Sequence, residues 1–191
     1  MKVYIDITLL PSDDIGHHFL WEKVYQQVHL ALVEKQDTNG ASIIGIGFPE
    51  FCAEKQRLGR KLRVFAPDRV VLDALDIPNW LNRLTDYVHL TRIRDVPDTG
   101  DRYERFSRLQ VKSKPERLAR RAAKRGGISY EEELGNRMHM KPEKTKAPFI
   151  WTRSLSNGNR FRLFIIREEF GPEGNIFSAY GLSKGGALPL F

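Results

Sequence analysis

Residues 3–9 read Val-Tyr-Ile-Asp-Ile-Thr-Leu, and residues 18–34 read His-Phe-Leu-Trp-Glu-Lys-Val-Tyr-Gln-Gln-Val-His-Leu-Ala-Leu-Val-Glu. In the first stretch apolar residues alternate with polar ones, which predicts a half-buried strand. The second stretch spaces its apolar residues at steps of three and four, at Trp21, Val24, Val28 and Leu32. This spacing is typical of an amphipathic helix. The chain is therefore predicted to begin with a strand followed by a helix.

The next segments extend this pattern. The apolar run at 43–48 and the stretch at 61–66 read as strands, 68–84 reads as a helix interrupted near Pro78, and 87–93 reads as a further strand. The order βαββαβ predicts a ferredoxin-like sheet with two helices on one face. The predicted fold class is α+β.

A change of pattern after the linker-like stretch 95–101 predicts two domains, at 1–95 and 102–191. The second domain is predicted to contain strands and one basic helix, with strands at 104–112, 149–154, 160–167 and 175–180 and the helix at about 114–125. Residues 126–147 show no clear period.

Composition excludes several classes of protein. The chain has 191 residues and 41% hydrophobic residues, enough for a core, and no apolar run approaches the length of a membrane helix. Asp6 lies where a secretory leader would be apolar, so we expect a cytoplasmic protein. Cys52 is the single cysteine, which excludes an internal disulfide and a cysteine-rich zinc site.

Most of the charge lies in one window. The formal net charge is +7, and residues 105–125 contain nine basic residues and one acid, Glu116. That window carries +8, so the rest of the chain is nearly neutral. Solvated surface stretches normally interleave acids with bases, and this one does not. A basic patch on a neutral chain favours a polyanion partner, nucleic acid above all.

The basic window contains a helix with recognisable ends. Ser113 and Glu116 form a capping box around Pro115, and Gly126-Gly127 supplies the C-terminal stop. The cations occupy the positions that are apolar in an ordinary helix, namely Arg117, Arg120, Arg121, Lys124 and Arg125. The other side offers small apolar residues for packing, namely Leu118, Ala119, Ala122 and Ala123. We expect the cationic stripe to lie against a phosphate-lined groove.

Two neighbouring segments add candidate contacts to nucleic acid. Arg108, Gln110 and Lys112 share one face of the preceding predicted strand, which either reads base edges or is simply solvated. The loop at 154–159 contains Asn-Gly, a strong hairpin signal, and is either a plain turn or a phosphate contact. Phe161 belongs either to the core or to a base-stacking surface.

Candidates for chemistry are few. His29 lies at the edge of the apolar face of the first predicted helix, where a histidine is either structural or catalytic. No metal-binding motif such as HExxH is present, and Glu131-Glu132-Glu133 reads as an acidic helix face. A two-metal nuclease is therefore disfavoured, and no cofactor is expected.

Three motifs resemble one family. They are KSKPERL at 112–118 with the arginine helix, FRLFI at 161–165, and YGLSKGG at 180–186. Together they resemble the type I-F CRISPR repeat-processing endoribonucleases, and His29 falls in the helix where that family places its histidine.

The resemblance implies a fold and an activity. The family combines an N-terminal ferredoxin-like domain with a smaller domain that carries the arginine-rich helix. It binds the repeat hairpin of precursor CRISPR RNA and cuts once at the 3′ base of the stem without metal. The products are a 2′,3′-cyclic phosphate and a 5′-hydroxyl. The enzyme keeps the product and enters the type I-F surveillance complex on it.

The resemblance also implies residue roles. His29 would be the general base, Ser154 would hold the attacking 2′-hydroxyl, and Tyr180 would orient His29. Arg108 and Gln110 would read bases in the lower stem. Positions implied to contact the RNA elsewhere are Lys112, Arg117, Arg120, Arg121, Lys124, Arg125, Ser156, Asn157 and Phe161.

Two departures from the family pattern concern hairpin recognition. Gly126 stands where the family pattern leads us to expect a histidine, and Asn157 replaces an expected hydroxyl residue.

Two other functional interpretations stay open from the residues alone. The chain could be a non-catalytic subunit that binds an RNA hairpin, or a regulator that binds duplex DNA.

Overall fold

The computed structural model describes residues 1–98, 100–111, 115–126, 129–139, 145–172 and 174–191. The helices are α1 (His17–Glu34), α2 (Arg69–Ala74), α3 (Ile77–Trp80), α4 (Pro115–Arg125) and α5 (Tyr130–Arg137). The strands are β1 (Val3–Leu9), β2 (Ala41–Ser42), β3 (Gly45–Gly47), β4 (Lys61–Ala66), β5 (Val88–Leu90), β6 (Arg94–Asp95), β7 (Tyr103–Leu109), β8 (Phe149–Arg153), β9 (Arg160–Phe170), β10 (Phe177–Ser178) and β11 (Leu188–Pro189). A mixed fold of helices and sheets is thereby confirmed.

The first sheet is built around β1. Its strand order is β3-β4-β1-β5, and β6 also pairs with β1. The pairings are antiparallel, with Ile5 opposite Val64 in β4 and Thr8 opposite His89 in β5. The chain therefore places its first strand at the middle of this sheet, next to the third and fourth predicted strands.

The expectation that β1 is half-buried was wrong, because both of its faces are covered. Asp6, on the polar face, is 3% exposed and forms an ion pair with Arg63 of β4 at 2.7 Å. The Arg63 guanidinium in turn lies 4.5 Å from the ring centre of Tyr4 and 4.1 Å from that of Phe191. A buried charge requires such a partner, and periodicity alone does not reveal that one is present.

The predicted helix at 68–84 is interrupted earlier than expected. Asp68 caps α2 by accepting a hydrogen bond from the Val71 amide at 2.9 Å. The break falls at Asp76, whose φ of 48° is left-handed, and Pro78 lies inside the first turn of α3. Proline is tolerated there because first-turn amides lack helical partners.

The second sheet has the order β11-β7-β9-β8. β9 is the long strand of the sheet, with 11 residues, and pairs with β7 on one side and β8 on the other. Ile150, Leu163 and Ile165 of this sheet are at most 1% exposed and join the core formed with β1 and α1. The two short strands β2 and β10 pair separately.

The chain forms two compact units, one made of residues 1–109 and 147–191 and the other of residues 110–146. The second unit contains α4 and α5. The residues interpreted as an acidic helix face, Glu131-Glu132-Glu133, lie in the first turn of α5, which Ser129 caps by accepting a hydrogen bond from the Glu132 amide at 3.2 Å. The predicted domains 1–95 and 102–191 remain a prediction, and the predicted cap Ser113 lies outside the described residues.

A bilayer needs a helix of about 20 apolar residues to cross it. Among the helices in the described ranges, none combines that length with that hydropathy.

Candidate active site

His29 lies in α1 and is 3% exposed, more deeply buried than the helix edge we expected. Its Nδ1 lies 2.8 Å from the carbonyl oxygen of Ala179. A carbonyl only accepts hydrogen bonds, so Nδ1 carries the proton of the neutral ring. The second nitrogen, Nε2, is then the one with a free lone pair. This is the tautomer that a general base needs.

Tyr180 covers one face of the imidazole. The two rings are stacked, with centres 4.1 Å apart and planes 12° from parallel. The Tyr25 hydroxyl, from the preceding turn of α1, donates a hydrogen bond to the Tyr180 carbonyl at 2.8 Å. The histidine is therefore oriented by the ring contact with Tyr180 and by the Ala179 carbonyl, and the Tyr25 hydroxyl binds the same segment through the Tyr180 carbonyl.

Burial sets the protonation of this group of rings. Desolvation lowers the pKa of His29 below its ordinary value, and the hydrogen bond to Ala179 opposes this effect. Desolvation raises the pKa of Tyr180, with Arg108 opposing. At neutral pH the imidazole is thus favoured in its neutral, basic form and Tyr180 keeps its proton.

Ser154 begins the loop that joins β8 to β9. Its Oγ lies 3.0 Å from the Oγ of Ser156, and its amide donates to the Asn159 carbonyl at 3.0 Å. Gly158 has a φ of +67°, the backbone conformation that makes glycine favourable in this turn. The predicted hairpin is present, and it exposes Ser156 and Asn157 at its tip.

Gln26 connects the histidine helix to this hairpin, and the sequence analysis missed it. Its Oε1 accepts hydrogen bonds from Thr152 Oγ1 at 3.1 Å and from the Arg153 amide at 3.2 Å. Arg153 directly precedes Ser154, and Gln26 lies one helical turn before His29. The signal in the sequence was the spacing of polar residues at 22, 26 and 29, which share one face of a helix.

Glu22 holds the other end of the same loop. Its carboxylate is buried and lies 2.6 Å from Arg160 Nη2, at the start of β9. Helix α1 thus binds the hairpin on both sides of the 154–159 loop. Gln26 and Glu22 therefore fix the two ends of the loop that contains Ser154.

Under the RNA-cleaving activity that the sequence resemblance implies, Gln26→Ala is expected to lower the single-turnover rate about tenfold with little change in RNA affinity, because it loosens the loop that contains Ser154. Gln26→Glu retains an acceptor oxygen and should recover most of the rate. Gln27→Ala, at the adjacent helix position, is the control and should leave the rate unchanged. A weakened affinity with an unchanged rate would contradict the positioning role.

Phe161 and Arg108 extend the group of rings. Phe161 meets Tyr180 edge-on, with ring centres 6.4 Å apart, and the Arg108 guanidinium lies 5.2 Å from the Phe161 ring centre. Gln110 is exposed and lies beyond the end of β7, so it is not on the strand face where we expected it. Lys112 lies outside the described residues.

The cationic stripe lies on α4, within the unit 110–146. Its five members are exposed, namely Arg117, Arg120, Arg121, Lys124 and Arg125. On the opposite side Ala119 is 0% exposed. The helix therefore presents its cations to solvent and packs by its small apolar side.

Gly181 shapes the turn that carries Tyr180. Its φ is +69°, and an added Cβ would lie 2.5 Å from Cγ1 of Ile46. Gly181→Ala is expected to lower the free energy of unfolding by roughly 2–4 kcal/mol, through left-handed strain and overpacking. Urea denaturation measures this. Gly171→Ala is the control, since a Cβ there meets no atom within 4 Å, and equal losses in the two variants would contradict the prediction.

Comparison with known proteins places the chain in a family. The model of the CRISPR-associated protein family Cas_Csy4 matches residues 4–191. The chain belongs to the Cas_Csy4 family, which confirms the family resemblance seen in the sequence motifs.

Two relatives match over their full length. The chain is 36% identical over 196 residues to the CRISPR-associated endonuclease Cas6/Csy4 of Pseudomonas aeruginosa (strain UCBPP-PA14), covering 100% of both chains. It is 31% identical over 193 residues to the protein of the same name from Escherichia coli (strain UTI89 / UPEC), again covering 100% of both. A solved structure titled "An RAMP protein binding different RNA substrates" aligns over 98% of each chain, with 14% identity and a TM-score of 0.37. This TM-score is too low to establish a shared fold.

Proposed function

We propose that this protein is a metal-independent endoribonuclease that binds the repeat hairpin of precursor CRISPR RNA and cuts at the 3′ base of the stem. The observation that carries the proposal is the His29 tautomer, with Nδ1–H bonded to Ala179 and Nε2 left as acceptor. Membership of a family whose relatives are named CRISPR-associated endonucleases supports the same activity.

The proposed step uses the RNA's own 2′-hydroxyl as nucleophile. His29 Nε2 takes the 2′-hydroxyl proton, the 2′-oxygen bonds to the adjacent phosphorus, and the bond from phosphorus to the 5′-oxygen breaks. The leaving 5′-oxygen takes up a proton from water, and the imidazolium returns its proton to water. The products are a 2′,3′-cyclic phosphate and a 5′-hydroxyl. General-base catalysis of this kind typically contributes 10²- to 10⁴-fold to the rate.

The other residues would hold the substrate in line. Ser154 would hold the 2′-hydroxyl, and Tyr180 would keep the imidazole in plane. Residues proposed to bind the hairpin are Arg108, Gln110, Lys112, Arg117, Arg120, Arg121, Lys124, Arg125, Ser156, Asn157 and Phe161. Those that the structure describes are exposed, apart from the half-buried Phe161, and six of them are cationic, which supports this assignment. Retention of the cut hairpin and entry into a type I-F surveillance complex belong to the same proposal.

The fold proposed for residues 1–95 is ferredoxin-like. The strand order β3-β4-β1-β5, with antiparallel pairing throughout, supports it. This arrangement would place α1, and with it His29, against one face of a four-stranded sheet.

A hairpin RNA with one 2′-deoxy sugar at the cut site tests the reaction. Cleavage of this RNA should be abolished while its affinity is retained, because only the nucleophile is missing. The unmodified hairpin should still be cut in EDTA, leaving a cyclic phosphate that mass spectrometry identifies. Cleavage of the 2′-deoxy RNA would overturn the mechanism. Loss of cleavage of the unmodified hairpin in EDTA would also overturn it.

The second candidate function is a non-catalytic subunit that binds an RNA hairpin. The burial of His29, which is 3% exposed, favours it, because a general base has to touch the substrate. Tyr180 is partly exposed and stacks on one face of the imidazole. A pure binding subunit would bind the hairpin and leave it intact under every condition of the preceding experiment.

A further inference from the structure

One face of the β8–β9 hairpin carries alternating aromatic and arginine side chains. Residues 150, 152, 163 and 165 point to the buried side. The opposite side carries three half-buried aromatic rings and three exposed arginines, which we call the aromatic–arginine face: Phe149, Trp151, Phe164, Arg153, Arg160 and Arg162. None of these six side chains takes part in the proposed catalytic step.

The side chains of this face are stacked on one another. The Arg160 guanidinium lies 4.4 Å from the Trp151 ring centre, and the Arg162 guanidinium lies 5.3 Å from that of Phe164. Phe149 contacts Trp151 edge-on at 5.8 Å, and the ring of His18 stacks on Phe149 at 6.3 Å. Planar groups held in this way offer surfaces on which bases stack without sequence preference.

The charge of the face suits a polyanion. Glu22 pairs with Arg160, whereas Arg153 and Arg162 add positive charge that Glu22 does not offset. At the Phe149 end the face meets a groove whose lining includes Lys55, Arg57 and Arg60 as well as Glu50. A cationic track with interleaved rings is typical of single-stranded nucleic acid sites.

The position of the face indicates which strand would occupy it. The 154–159 loop, which contains Ser154, joins β8 to β9, so the face begins next to the proposed cut site. It extends over the five residues of β8, roughly 16 Å at about 3.3 Å per residue. A strand leaving the scissile phosphate on its 3′ side can follow this path, which has space for a few nucleotides.

We propose that the aromatic–arginine face binds the single-stranded RNA on the 3′ side of the cut. The inference rests on the proposed function, since it takes the cut site from it. The face would give the uncut precursor extra affinity that the trimmed product lacks. It would therefore help the protein to distinguish precursor from product.

Binding of three non-cleavable RNAs tests the proposal: the bare hairpin, the hairpin with a single-stranded 3′ extension, and the hairpin with a 5′ extension, each 2′-deoxy at the cut site. The unaltered protein should bind the 3′-extended RNA about tenfold more tightly than the bare hairpin. Arg162→Ala should remove most of this gain and leave bare-hairpin affinity unchanged. Arg162→Lys, which keeps the charge but not the planar group, should retain only part of it.

Arg83→Ala, at an exposed arginine outside this face, is the matched control and should retain the full gain. Equal affinity for the bare and 3′-extended hairpins would overturn the inference and leave a protein partner as the occupant of the face. A gain with the 5′ extension alone would also overturn it. Failure to bind the bare hairpin would instead contradict the proposed function, so the two failures are distinguishable.

Discussion

His29→Ala is expected to reduce the single-turnover rate of hairpin cleavage by about 10²- to 10⁴-fold, the usual contribution of a general base. RNA affinity should remain within a few-fold of the unaltered protein, because the imidazole is 3% exposed and contributes little binding surface. Rates and affinities measured on the same labelled hairpin separate the two effects. Unchanged cleavage would remove His29 from the mechanism.

His89→Ala is the matched control for this variant. His89 is an exposed histidine of β5, and its loss should leave cleavage unchanged. Circular dichroism and urea denaturation of both variants show whether a lost rate reflects unfolding. A His29→Ala protein that is folded, binds the hairpin and does not cut it would support the enzyme over the binding subunit.

The same imidazole sets the expected pH dependence. A general base acts in its neutral form, so the rate rises with pH through its pKa and then reaches a plateau. Burial lowers the pKa of His29 below its ordinary value of 6.5. The rate should therefore be near its plateau at pH 7 and should fall only as the pH drops below 6.5. A profile still rising steeply above pH 7 would contradict this assignment.

Replacement of Arg117, Arg120 and Arg121 by alanine is expected to weaken hairpin binding about 100-fold at moderate salt. The estimate takes roughly 1 kcal/mol for each lost charge-assisted contact to phosphate. Because each phosphate contact releases counterions, the slope of log affinity against log salt should also become shallower by about one unit per arginine. Titrations at several salt concentrations measure both quantities.

The control for the triple variant is a second triple variant with the same net charge. Replacing Arg83, Arg92 and Arg94, which are exposed and lie outside α4, removes the same three charges from the other compact unit. A stripe that contacts RNA should lose far more affinity than this control. Equal losses would show that total charge, and not the α4 stripe, drives binding. Preference of the unaltered protein for duplex DNA over the hairpin would favour the DNA-binding regulator instead.

Local patterns in the sequence were sufficient for most helices and strands. The alternation at 3–9, the three-and-four spacing in α1 and the Asn-Gly turn at 157–158 each involve residues close along the chain, and each predicted element is present. For α5 the sequence indicated only the acidic helix face at Glu131-Glu132-Glu133, without helix bounds. Residues 130–137 leave no side chain fully buried and so lack the apolar period that would define those bounds.

The sequence by itself thus determined the family, the principal elements and the concentration of charge on α4. The tertiary structure alone decided that Asp6 is paired with Arg63, that Gln26 holds the strand before Ser154, and that Tyr180 stacks on His29. These contacts join residues 57, 127 and about 150 positions apart. Periodicity reports which face of an element is buried, whereas the partner across the interface is set by how distant elements pack.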